Sequence, residues 1–219
     1  MPLTTFVLWL LLTLALGWLS LPLSLQLWSN GSGENENEDG VFSLGLLPDG
    51  GLAAGRTLML VSWTFLVFWL GNAGMPLKWA VLVVFPLFGV IWWPMRFGAN
   101  RGRLRRLVGT RRRGMMAVEA TFLTVFLFFF VLRGYWPGTS DDEKPMDMAL
   151  ISACVRADSL PPADSYAAGK RLENYYYFGH LQTAVLTRAV GSEPRWTYNL
   201  MCAAAVSYTH LTLPTKRIV

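Results

Sequence analysis

The chain has 219 residues, 53% of them hydrophobic and only 15% charged, with 10 Trp, 13 Phe and 7 Tyr. A soluble domain carries about 25% charge, so composition excludes a disordered tail and an ordinary cytosolic enzyme. Two cysteines, Cys154 and Cys202, form neither a disulfide framework nor a metal-binding spacing. The net charge of +5 would suit nucleic acid only if the basic residues lay on a soluble face. Their positions beside apolar runs exclude that partner and favour a lipid bilayer, as does the mean hydropathy of +0.36.

A membrane-spanning helix needs about 20 mainly apolar residues. Leu3 to Trp28 is such a run without a charge. It is too long for a signal peptide and has no basic leader. Residues 29–55 read as a loop holding Glu34, Glu36, Glu38 and Asp39. Thr57 to Met75 is a second span, and Leu77 to Met95 a third, interrupted at Pro86. Eight arginines crowd residues 96–114, read as a basic loop. Met115 to Leu132 is a fourth span with four Phe between 126 and 130. A long polar loop covers residues 133–174. Tyr175 to Val190 is a shorter fifth span, and a sixth starts at Trp196. The expectation is an all-α, polytopic helical protein of the cell membrane. Arginine density places residues 96–114 in the cytoplasm and residues 134–174 outside. The arginines serve as a topology signal, with anionic lipid as a further partner of such clusters.

The last fourteen residues, Val206 to Val219, begin VSYTHLTLPT. Ten codons for that stretch match one frame of the transposon-end adapter used in sequencing libraries. The segment is therefore set aside from the fold, like a fusion scar. The native portion is then expected to end at Ala205, as the start of a longer membrane protein and inactive alone. Residues 1–114 read as a three-span extension and residues 115–205 as the beginning of a core.

Residues 134–180 differ from what precedes them. Asp141, Asp142 and Glu143 form an acidic group, and Asp147 follows one helical turn after Glu143. Pro145 suits the first turn of a helix, where the dipole favours an anion such as Asp147. The spacing of Met146, Leu150, Ala153 and Ala157 predicts a helix over 145–157 lying along the membrane surface. Pro161 and Pro162 stop it. Acids at such a surface can act as a general base or bind a cation, while many acidic runs are only solvated loop. Tyr175, Tyr176 and Tyr177 suit an interfacial aromatic belt. His180 and Gln182 fall one turn inside the following span, where polar groups are costly and often functional. A hydrogen bond to a neighbouring helix explains His180 equally well.

Three ordered motifs carry a family likeness: Glu-Lys-Pro-Met-Asp at 143–147, Arg-Ala-Asp-Ser-Leu-Pro-Pro at 156–162, and Asn-Tyr-Tyr-Tyr-Phe-Gly-His at 174–180. Together they resemble the YYY membrane proteins, whose first inner loop is also similar to Leu-Pro-Asp-Gly at 47–50. That family resembles the GT-C superfamily of membrane glycosyltransferases. The resemblance implies sugar transfer from a polyprenyl phosphate carrier on the outer face. It implies Glu143 and Asp147 as the active acids, Glu143 first as the base, with Asp142 a rival because the superfamily often uses adjacent acids. It also implies Arg156, Lys170, Arg171, the three tyrosines and His180 as substrate-binding groups, with a divalent cation as an option for the leaving phosphate. A non-catalytic structural or transport-associated membrane protein is the alternative.

Overall fold

The structure, a computed structural model, describes residues 1–29, 49–93, 98–135, 143–173 and 176–212. Among these the chain is helical: α1 Leu3–Ser29, α2 Leu52–Asn72, α3 Leu77–Trp92, α4 Gly98–Tyr135, α5 Lys144–Arg156, α6 Phe178–Ala189 and α7 Pro194–Thr212. The extended pairing among them is a single isolated bridge between Ala163 and Arg171.

Three helices contain segments long and apolar enough to cross a membrane: Leu3–Pro22, Leu52–Asn72 and Arg101–Tyr135. Their side chains share a core around Trp9, Trp63, Phe122 and Phe126. They also expose large apolar groups, among them Leu11, Phe65, Trp69 and Phe128. Contiguous apolar surface of this kind needs a nonaqueous surrounding.

The last two residues of the third expected span, 94 and 95, lie outside the described residues, and the fifth is shorter than foreseen. Leu77–Trp92 has 16 residues, or about 24 Å at 1.5 Å per residue, against a hydrocarbon thickness of about 30 Å. Phe178–Ala189 has 12. Its apolar run is cut short because Tyr177 lies outside the helix and Val190 and Gly191 turn the chain back. The described part of the basic stretch is not a loop. Residues 98–114 form the first half of the 38-residue α4, since arginine is a strong helix former and the repulsion of its charges is relieved by exposure.

Two ends of the bundle are distinguished by charge. At the arginine-rich end, Leu21, Leu52 and Met115 pack with Leu104, Leu107 and Val108. Asp49 caps α2 there, accepting hydrogen bonds from the backbone N–H of Ala53 (2.8 Å) and Gly51 (3.2 Å). Gly50 has a φ of +62° and lies where a side chain would press on Leu107 and Met115, which explains the glycine after Asp49. At the opposite end, the segment after α5 crosses the α2–α3 turn. The Leu77 N–H donates to the Asp158 carbonyl at 2.9 Å, and Leu160 fills the space left by Gly71.

Helix α7 passes Ala205 without a break and continues to Thr212. Tyr208 is buried there against Phe122, with ring centroids 5.5 Å apart. The first seven residues of the segment set aside from the fold, 206–212, are therefore helical.

Candidate functional site

The opposite end of the bundle gathers polar side chains from four helices. Helix α5 begins at Lys144–Pro145, and its first turn carries Asp147, whose backbone N–H donates to the Glu143 carbonyl at 2.9 Å. Proline sets the backbone angle of that turn and forfeits an N–H that would have no partner there. Helix α6 brings His180 to Asp147, with Nε2 to Oδ1 at 3.0 Å. The pair is partly open: the side chains are 17% and 30% exposed. His180 Nδ1 is buried and unpartnered among the described residues.

Two cations flank the same place. The Arg133 guanidinium at the end of α4 lies 5.3 Å from the ring of Tyr198 on α7, and the Lys144 ammonium 5.9 Å from it. Arg133 Nε also donates to Asn199 Oδ1 at 3.3 Å, while its Nη2 is buried without a partner among the described residues. Asp147 is close enough to Tyr198 to act on it electrostatically. The result is a carboxylate–imidazole pair beside two cations, with donor capacity left over on Arg133 and on or off His180 according to its tautomer.

The residues singled out in the sequence divide accordingly. Asp147 and His180 meet. Glu143 stands one turn away at the start of α5 and is exposed. Arg156 is nine residues along α5 from Asp147, about 13 Å at 1.5 Å per residue. It lines a separate small cleft of about 150 Å³ with Asp164 and Ser165. Arg171 Nη1 donates to Ser159 Oγ (3.3 Å) and the Pro161 carbonyl (3.1 Å), tying the loop to itself. Lys170 is exposed. Tyr176 faces outward, 82% exposed, whereas Tyr177 is buried against Phe68. Burial pushes the Tyr177 phenol above its ordinary range, partly offset by a hydrogen bond with Asn72. Burial likewise pushes the Cys154 thiol up to about 12, which makes it unreactive. Asp142 and Tyr175 lie outside the described residues. Among the described residues, no group of three or more His, Cys, Asp or Glu side chains is placed to hold a metal ion.

Sequence reasoning missed Arg133, Lys144, Tyr198 and Asn199 as neighbours of Asp147. It also passed over a second polar pair, near the arginine-rich end. Arg56 of α2 is fully buried and donates from Nη2 to Glu119 Oε1 of α4. Its guanidinium lies 4.5 Å from the Phe122 ring. Gly17 of α1 leaves the room: a Cβ there would stand 2.8 Å from Arg56 Nε. The available signal was Glu119, a carboxylate inside an apolar run, which calls for a partner on another helix.

The sequence model of the family described as uncharacterized membrane protein (DUF2298) matches residues 57–213. The match covers more than half of the chain, and the chain belongs to that family. It takes in the Arg133–Asn199 region and both members of the Asp147–His180 pair. No curated protein and no solved structure matches the chain.

Proposed function

We propose that this membrane protein is a multi-pass glycosyltransferase of the cell membrane, taking sugar from a polyprenyl phosphate carrier at the outer face. The observation that carries the reading is the Asp147–His180 pair, held by two helices beside Arg133 and Lys144. In such a transfer the oxygen of an acceptor hydroxyl bonds to the anomeric carbon, and the bond from that carbon to the carrier phosphate breaks. The hydroxyl proton goes to the Asp147–His180 pair, with Glu143 one turn away as the second acid. The departing lipid phosphate gains negative charge, which Arg133 and Lys144 are placed to stabilise. Arg156, Lys170, Arg171, Tyr175, Tyr176 and Tyr177 would then contact the rest of the substrates, and Asp142 the acceptor side. A divalent cation would add to the stabilisation of the phosphate.

The 3.0 Å contact also favours a second reading, in which His180 only ties α6 to α5 in a non-catalytic membrane protein. Membranes containing the full protein, supplied with radiolabelled sugar on polyprenyl phosphate, separate the two. The transferase reading expects label in product, and a loss of about 10²–10⁴-fold in Asp147→Asn and His180→Gln. No transfer from any such donor, or full rates in both variants, would refute it.

A further inference from the structure

The arginines of α4 stand on a built surface that neither the core nor the site uses. The helix has 38 residues, or about 57 Å at 1.5 Å per residue. A hydrocarbon layer of about 30 Å accommodates roughly half of that length. Its other half carries Arg101, Arg103, Arg105, Arg106, Arg111, Arg112 and Arg113, with no acidic residue from Gly98 to Val118.

This half is docked to the rest of the protein. Leu104, Leu107 and Val108 pack on Leu21, Leu52 and Met115, which fixes which side of α4 faces outward. At 3.6 residues per turn, Arg106 and Arg113 lie opposite that packed side, with Arg101, Arg105 and Arg112 along one flank and Arg103 on the other. All six are exposed, and among the described residues none of them joins a salt bridge.

The level of the surface is marked independently. Trp92 at the end of α3 donates from Nε1 to the Leu19 carbonyl at 3.1 Å, two residues from the Leu21 that packs on Met115. Trp93 beside it is 59% exposed. Tryptophans collect at head-group height, so the arginine face begins where lipid phosphates lie.

We propose that this face binds the head groups of anionic phospholipids, several at once, from the adjoining leaflet. Guanidinium groups meet phosphate oxygens with two parallel hydrogen bonds. Each basic residue near an anionic surface favours binding about fivefold. The chain's own acids do not satisfy the charge: Glu34, Glu36, Glu38 and Asp39 would neutralise at most four of the eight arginines between 96 and 113.

The full protein, purified in mild detergent, is equilibrated with equal amounts of phosphatidylglycerol and phosphatidylcholine, and retained lipids are counted by native mass spectrometry. Purification before the measurement removes any effect of the arginines on insertion. Phosphatidylglycerol should be retained over phosphatidylcholine by on the order of tenfold, less so in 0.5 M salt. The preference should vanish in the variant with Arg101, Arg103, Arg105, Arg106, Arg112 and Arg113 all changed to Gln. The triple variant R101Q/R105Q/R112Q, which touches only one flank, should lose part of it and covers failure of the larger variant to fold. Equal retention of the two lipids by the unaltered protein would overturn the proposal. So would a preference unchanged in the triple variant.

Discussion

The pair Arg56–Glu119 and the pair Asp147–His180 join helices at opposite ends of the bundle, and their surroundings differ. Glu119 and Arg133 are fourteen residues apart on α4, about 21 Å at 1.5 Å per residue. Arg56 is wholly buried, closed in by Gly17 and Phe122, with Glu119 as its charged partner. Asp147 and His180 are partly open and share their space with two further cations and a tyrosine. The closed pair binds helices together and is shielded from a third party by burial, although Arg56 Nε and Nη1 and Glu119 Oε2 have no hydrogen-bond partner among the described residues. The open pair is within reach of a substrate. Burial and the composition of the neighbourhood thus separate a clasp from a site, although each is a contact between an acidic and a basic side chain.

The sharpest way to break that distinction is to cross the two measurements. Asp147→Asn should lower sugar transfer by about 10²–10⁴-fold while leaving resistance to denaturing detergent nearly unchanged, because the side chain is isosteric and partly exposed. Glu119→Ala should do the reverse in kind. Leaving Arg56 buried without its carboxylate costs about 3–5 kcal/mol, which a detergent unfolding titration would register as a large shift of midpoint. If the double variant R56M/E119L recovers most of the loss, the pair is a clasp whose charge is dispensable.

A smaller effect is expected at Gly17. Alanine there brings a Cβ within 3 Å of Arg56 Nε, and overpacking of this kind costs about 1–3 kcal/mol. The same substitution at Gly179, where nothing lies within 4 Å of the added carbon, should change stability far less. Smallest of all is the response of Cys154. Its buried thiol, pushed up to about 12, should stay unlabelled by maleimide at neutral pH in the folded protein. Rapid labelling would show that α5 is not packed on its neighbours.

Much of the fold was legible because membrane helices announce themselves by uninterrupted apolar runs. Leu3–Pro22 follows from that alone, as does most of Leu52–Asn72, whose first turn was read as loop because the apolar run was taken to start at Thr57, and Pro145 located the start of α5 to within a residue. The arginine stretch was misread as a loop because charge density was given more weight than helix propensity. The tyrosine run lengthened the fifth span on paper, whereas α6 starts only at Phe178. At the site, Asp147 and His180 were each recognisable for their own reasons, a first-turn acid and a histidine in an apolar run. Their meeting, across 33 residues of chain, depends on how α5 crosses α6, which no local pattern encodes. The same holds for Arg133 and Tyr198, and for Arg56 and Glu119, which are 63 residues apart. The acids at 141 and 142 and Tyr175 lie outside the described residues, so their relation to Asp147 rests on sequence alone.

The most direct test is to measure transfer and stability on one preparation of the full protein carrying His180→Gln. Glutamine preserves a hydrogen bond to Asp147 and removes the imidazole. If the open pair performs proton transfer, turnover falls by at least about 10²-fold and the unfolding midpoint stays close to that of the unaltered protein. Turnover that survives, or that falls only in proportion to a lost midpoint, would mean that His180 serves as a clasp like Arg56.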